Sequence, residues 1–201
     1  MNRLTYAALT GLIGAALLHI IIILALPNFT GKDAYTRIKA AGPSHRFIVL
    51  PDSVGTRADK STDKTANGRA EGSDQMALSN VDPFLKGAVC HFDISRAPLR
   101  LYAPAGPSFW SMAVYDASSN EVFSMNDRTS VGGDLDAVVA TPAQVAQIRK
   151  APGATLTQSI LVEYRGTTGY VVLRTMVPAP SFSPQARAFL DEALCASLTE
   201  D

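Results

Sequence analysis

Cys90 and His91 stand side by side in the stretch AVCHFDIS, and a thiol beside an imidazole is a pairing used in nucleophilic and metal chemistry. The inventory around them is small, because the chain holds two cysteines and three histidines. A zinc site normally takes four ligands in short paired spacings, and only His91 adjoins a cysteine here. The stretch also reads as a β-strand, in which neighbouring side chains point to opposite faces. Cys90 and His91 are therefore poorly placed to ligate one ion together, and equally so to act as nucleophile and base. GxSxG, HExxH, P-loop and GxGxxG patterns are missing. No catalytic residue, metal ligand or cofactor is assigned, and the balance tilts away from an enzyme.

Cys90 has a second use. If the domain lies in an oxidising compartment, Cys195 is its simplest partner, since one cysteine falls on the first strong strand and the other on a C-terminal helix. Closing a loop of about 100 residues is worth about 4–5 kcal/mol in the chain-entropy description. Two buried free thiols in a cytosolic domain are the alternative.

The remaining polar cluster is SMNDRTS. Asn126, Asp127 and Arg128 follow an alternating strand, and with Trp110 or Tyr115 nearby they form a candidate small-ligand site at one end of the sheet. The same residues are turn formers, and a plain surface turn is the competing reading. Glu163, Arg165 and Arg174 read as cross-strand charge pairs.

The elements that position these residues are mostly strands. GAVCHFDIS, PLRLYAP, FWSMAVYDA, EVFSMND, LDAVVAT, SILVEYR and GYVVLRTMV are short runs rich in β-branched and aromatic residues, separated by turn formers. In FWSMAVYD, Trp110, Met112 and Val114 share one face, while Phe109, Ser111, Ala113 and Tyr115 share the other. ASSN and RGTTG read as hairpin connections. TPAQVAQIRK carries Thr141 as N-cap, Pro142 at the first helical position and Gln144 as the reciprocal cap. SPQARAFLDEALCASL repeats that logic with Ser183 and Pro184, with Ala186, Leu190 and Leu194 as its apolar stripe and Phe189 adjoining. The expected fold is mainly β (α+β): an antiparallel β-sandwich or barrel-like domain with two short helices, preceded by one N-terminal transmembrane helix.

That preceding helix is AALTGLIGAALLHIIIILAL, Ala7 to Leu26, about 20 residues without a formal charge when His19 is neutral, enough to cross roughly 30 Å of hydrocarbon. The run exceeds a signal-peptide core and ALPNFTG offers no A-x-A cleavage site, so an uncleaved anchor is expected. Ala7, Gly11, Ala15 and His19 recur every four residues on one stripe, a candidate transmembrane helix contact. Arg3 before the span is outnumbered by Lys32, Arg37, Lys39 and Arg46 after it, which by the positive-inside rule favours a cytoplasmic C-terminal domain. With 18 basic and 18 acidic residues and no basic stripe, a nucleic-acid partner is excluded.

The chain divides into a membrane anchor (1–27), a juxtamembrane segment with a helix from about Asp33 to Ala41 and a strand in RFIVLP (28–51), a flexible polar linker or loop (52–75), and a β-rich domain (76–201). The linker is rich in Ser, Thr, Gly and charge, and it carries almost no large apolar residue with which to order itself.

Taken in order, DPFLKGAVCHFDISRAPLRLYAP, FWSMAVYD, SMNDR, VVATPAQV, GYVVLRTMVPAP and LDEALC resemble the bacterial domain-of-unknown-function family 1254. The anchor with DAYTRI and GPSHRF is similar to its short membrane-anchored alphaproteobacterial members. The resemblance implies a mainly β domain in the cell envelope, outside the cytoplasm, against the charge count. It implies no catalytic residue. Larger relatives join such a domain to a second one, so a companion envelope protein is an implied partner.

The expected function is a single-pass inner-membrane envelope protein, N-terminus cytoplasmic and β domain periplasmic, with a non-enzymatic interaction or assembly role. Its partners are the membrane and either a companion protein or a second copy through the transmembrane helix. The alternative is an envelope small-ligand binder or hydrolase using the Asn126–Arg128 end of the sheet.

Overall fold

The computed structural model describes residues 2–52, 78, 82–106, 108–150 and 158–198, with the backbone alone at 27–33. Helix α1 (Arg3–Ala41) leads into strand β1 (Ile48–Val49). Period-two alternation then builds β2 (Leu85–Asp93), β3 (Leu99–Ala103), β4 (Trp110–Asp116), β5 (Glu121–Asn126) and β6 (Leu135–Ala140). Helix α2 (Pro142–Lys150), β7 (Ile160–Glu163), β8 (Thr168–Met176), helix α3 (Ser183–Glu192) and β9 (Leu194–Ser197) complete the order.

The strands form two sheets, β1-β2-β8-β4-β5 and β7-β6-β3-β9, which stay separate and do not close into a barrel. Their inner faces supply the core. Ala88, Cys90 and Phe92 of β2, Trp110, Met112 and Val114 of β4, and Val171 and Leu173 of β8 meet Leu99, Leu101, Leu135, Ala137 and Val139 of the second sheet. Each large side chain so removed from water contributes about 1.5–3 kcal/mol. The two-face reading of β4 holds: Trp110, Met112 and Val114 are buried, and the alternate residues are not.

Three layers cover the sheets. Val145 of α2 packs on Val138 and Ala140, the outer face of the second sheet. Phe189 and Leu190 of α3 join the core between the sheets. Ile38 and Tyr35 of α1 pack on Val89 and Tyr170, the outer face of the first sheet. The apolar run and the helix expected near 33–41 are continuous within α1, about 58 Å long at ~1.5 Å per residue. Its Arg3–Leu26 portion is long and apolar enough to cross a membrane, with a mean hydropathy of 2.6 and no residue buried against the rest of the chain. Apart from Asp52, the expected linker at 52–75 lies outside the described residues.

Helix α2 opens on the expected capping box: the Thr141 N–H donates to Gln144 Oε1 at 2.8 Å, and the Gln144 N–H donates to Thr141 Oγ1 at 3.4 Å. As a crossover between strands it returns the chain in the same direction, so β6 and β7 pair in parallel, with Val139 opposite Val162. All the other pairings among the described strands are antiparallel, as expected.

Three local expectations are corrected. Ser183 is not an N-cap: a 3-10 turn at Pro180–Phe182 precedes it, Ser183 already has helical angles, and its N–H donates to the Pro180 carbonyl. The terminal helix ends at Glu192, so Cys195 is a strand residue and Leu194 leaves the apolar stripe to stand 45% exposed. The reason is tertiary. The edge of β3 offers unpaired backbone groups, and β9 takes them, with Cys195 opposite Leu101 and the Leu198 N–H donating to the Pro98 carbonyl. Thirdly, RGTTG is not a hairpin turn, because β7 and β8 belong to different sheets. Glu163 sits opposite Ala140, whereas Arg174 sits between Gly87 and Ser111, so Glu163, Arg165 and Arg174 do not lie on facing strands. Tyr164 ties this crossing down: its phenol donates to the Thr168 carbonyl at 2.6 Å, and burial pushes its pKa up to about 12.

Two consequences are measurable by urea unfolding of the full chain in detergent. A Cβ on Gly169 would collide with the Tyr115 carbonyl and stand 2.8 Å from the Phe92 ring. Gly169→Ala is therefore expected to cost about 1–3 kcal/mol by overpacking, and a neutral substitution would contradict this close approach. Cys90→Ala with Cys195→Ala is expected to cost about 2–5 kcal/mol, and an unchanged midpoint would mean that the crosslink does not constrain the unfolded chain.

Candidate functional site

Strand geometry separates the Cys90–His91 pair. Cys90 points inward, where it is joined to Cys195 of the opposite sheet in a disulfide with Cα atoms 6.7 Å apart. Such a bond persists in oxidising compartments. His91 points outward to the end of α1, its Nε2 lying 3.0 Å from the Gly42 carbonyl oxygen. Beside it, the His45 N–H donates to the His91 carbonyl at 3.0 Å, and His45 Nε2 lies 3.1 Å from the Asp93 carbonyl oxygen. These contacts tie the chain after α1 to the end of β2. Among the described residues no three His, Cys, Asp or Glu side chains gather as a metal site.

The five expected ligand residues do not converge. Trp110 is fully buried at the start of β4, with Nε1 donating to the Gly133 carbonyl at 2.9 Å and its ring stacked on Phe189. Tyr115 lies at the far end of β4 and on the other face, stacked on Tyr170 with ring centroids 5.0 Å apart. Asn126 turns the chain after β5, its Oδ1 accepting from the Arg128 and Thr129 N–H groups at 3.0 and 3.2 Å. Asp127 buries Oδ1 without a hydrogen-bond partner among the described residues, and Arg128 is exposed on the turn. Of the five, Tyr115 and Asn126 border one hollow among the described residues.

That hollow, of about 260 Å³, lies on the outer face of β5, β4 and β8. Pairing lays its lining out in rows. Asn126, Ser111 and Arg174 stand abreast across three strands; Ser124, Ala113 and Val172 form the next row; Tyr115 follows, opposite Glu121 and Tyr170. Directly opposed side chains on such a face have Cβ atoms about 4.5–5.5 Å apart. The small side chain of Ala113 lowers the floor between a donor-rich row and an aromatic wall. Behind Tyr115, Tyr170 in turn contacts Tyr35 of α1, with ring centroids 6.5 Å apart. Burial is the main cause that raises the Tyr115 phenol pKa, and the Glu121 carboxylate adds to it while Arg174 opposes it. The Ser124 hydroxyl donates to Glu121 at 2.8 Å.

Sequence reading missed Ser111 and Arg174 as members of one site. Alternation assigns each to a face of its own strand, but only strand order places β8 beside β4. A second cleft, of about 370 Å³, opens where β1 and β9 leave the sandwich edge unpaired, between His45, Phe47, Leu190 and Leu194. On α1, Ala7, Gly11, Ala15 and His19 are all exposed, and a Cβ on Gly11 would meet nothing within 4 Å.

Comparisons with known proteins set this geometry in a family. No curated protein matches the chain. Solved structures similar to it include the following two. The VPA0106 protein of Vibrio parahaemolyticus aligns at 12% identity with a TM-score of 0.49, over 59% of this chain and 29% of that one. An uncharacterised protein of Burkholderia cenocepacia aligns at 9% identity with a TM-score of 0.44, over 88% of this chain and 42% of that one. The chain thus spans less than half the length of either. The model of the family described as "Protein of unknown function (DUF1254)" matches residues 80–197, which is more than half of the chain and the whole run from β2 to β9. The chain belongs to the DUF1254 family of proteins of unknown function.

Proposed function

We propose that this chain is a single-pass protein of the bacterial inner membrane, one of the short membrane-anchored family members like those of alphaproteobacteria. Its N-terminus faces the cytoplasm, its β domain occupies the periplasm, and its role is non-enzymatic interaction or assembly. The observation that carries this reading is α1 itself: one helix presents 24 apolar-rich residues to its surroundings and then docks Tyr35 and Ile38 onto the β domain. Such a helix holds the domain at a set attitude to a bilayer, which suits a domain displayed for contact. The disulfide supports the periplasmic side, where thiols are oxidised, against the Lys32, Arg37, Lys39 and Arg46 count. The partner is a companion envelope protein or a second copy, met in the membrane along Ala7, Gly11, Ala15 and His19.

A second reading, an envelope small-ligand binder, draws on the hollow bordered by Tyr115 and Asn126. Its site is the outer sheet face, not the five-residue cluster around Asp127 and Arg128.

Reporter fusions after Leu26 and at the C-terminus are expected to place both points outside the cytoplasm; a cytoplasmic signal from either rejects the topology. With Cys90 and Cys195 consumed in the disulfide, a thiol introduced by Ala15→Cys or His19→Cys is free to report on the helix contact. Oxidation in membranes should yield a crosslinked species from at least one of them, and no adduct from both removes the proposed helix partner.

A further inference from the structure

We infer that the hollow on the outer face of β5, β4 and β8 is a binding site for a small oxyanion, a carboxylate or phosphate monoester carrying a compact apolar or aromatic body. The inference rests on the small-ligand reading and names the ligand class.

Its starting point is Arg174. β8 is the central strand of the five-stranded sheet, and Arg174 stands exposed on its outer face. No carboxylate among the described residues forms an ion pair with it. Its guanidinium presents five donors in a planar fork that matches a carboxylate or phosphate. The neighbours in the same row are of the same kind. Ser111, opposite Arg174, is half-buried and its hydroxyl has no partner among the described residues, and Asn126, opposite Ser111, spends its Oδ1 on the turn, leaving its amide N–H groups available. Three donors of which one is cationic, set abreast across three strands, define an anion's place.

The rest of the hollow limits what is attached to the anion. Ala113 and Val172 make an apolar floor one row along, and Tyr115, backed by its stack on Tyr170, closes the far side. Glu121 is the acidic group at that end and is engaged by Ser124, so a second negative charge there is disfavoured. A ligand with its charge at Arg174 and an uncharged body toward Tyr115 satisfies every group. The volume of about 260 Å³ suits a single-ring or short-chain molecule rather than a polymer.

The test uses the full chain in detergent at constant ionic strength, followed by the thermal unfolding midpoint. Phenyl phosphate and benzoate are the probes, inorganic phosphate tests the anion alone, and benzyl alcohol is the uncharged counterpart. Phenyl phosphate and benzoate should raise the midpoint saturably, inorganic phosphate less, and benzyl alcohol not at all. Arg174→Gln, on an exposed site, should keep its ligand-free midpoint and weaken binding roughly 10- to 100-fold, the range for a lost charge-assisted hydrogen bond. Ser111→Ala should weaken it less, and Arg128→Gln, on the exposed turn, not at all. Equal shifts with benzyl alcohol overturn the anion assignment. A shift that survives Arg174→Gln overturns this site while leaving a ligand site elsewhere. No shift with any probe overturns the site and the small-ligand reading together.

Discussion

Burial of the inner faces of β2, β8 and β4 against β3 and β6 is the constraint on which the rest of the molecule depends. Because side chains alternate along a strand, committing Cys90, Phe92, Trp110, Met112, Val171 and Leu173 to the core leaves no choice about the other face. His91, Tyr170, Tyr115, Ser111 and Arg174 must then point outward. A one-residue slip in β2 or β4 would bring Phe92 or Trp110 out to the other face, and a slip in β8 would turn Arg174 into the core. The disulfide works in the same direction, because it joins β2 of one sheet to β9 of the other and so holds the two layers in register.

The outer face does two different jobs along its length. At the Tyr115–Tyr170–His91 row it receives the end of α1, with Tyr35 and Ile38 packed against it and His91 beside the Gly42 carbonyl. Two rows away it is polar and open. The boundary between these halves is the tyrosine stack, which belongs to both: one side supports the helix and the other walls the hollow. In the proposed topology this is the point at which the anchor and the displayed domain are mechanically continuous.

The candidate site was legible only in part. Strand alternation was enough to deny Cys90 and His91 a common task, and to sort Trp110 from Tyr115 onto opposite faces. Nearness along the chain nevertheless groups the two aromatics with Asn126, Asp127 and Arg128, which nearness in space does not. The same reasoning pairs Arg174 with Glu163: RGTTG has the composition of a tight turn, yet it carries the chain from one sheet to the other. Composition specifies that a chain bends, and it does not specify which edge the next strand will find.

By itself the sequence determined the local grammar of this protein: the apolar run of α1, the strands from Leu85 onward, the capping box of Thr141 and Gln144, the inward and outward faces of β4, and the membership in a family. These depend on period, propensity and near-neighbour hydrogen bonds, all of which are written within about ten residues. Tertiary structure alone decided the strand order, the parallel β6–β7 pair, the conversion of the last helical residues into β9, and the row of Asn126, Ser111 and Arg174. Those depend on which unpaired backbone edge each segment reaches, and the free energy of that choice is shared among residues up to a hundred positions apart.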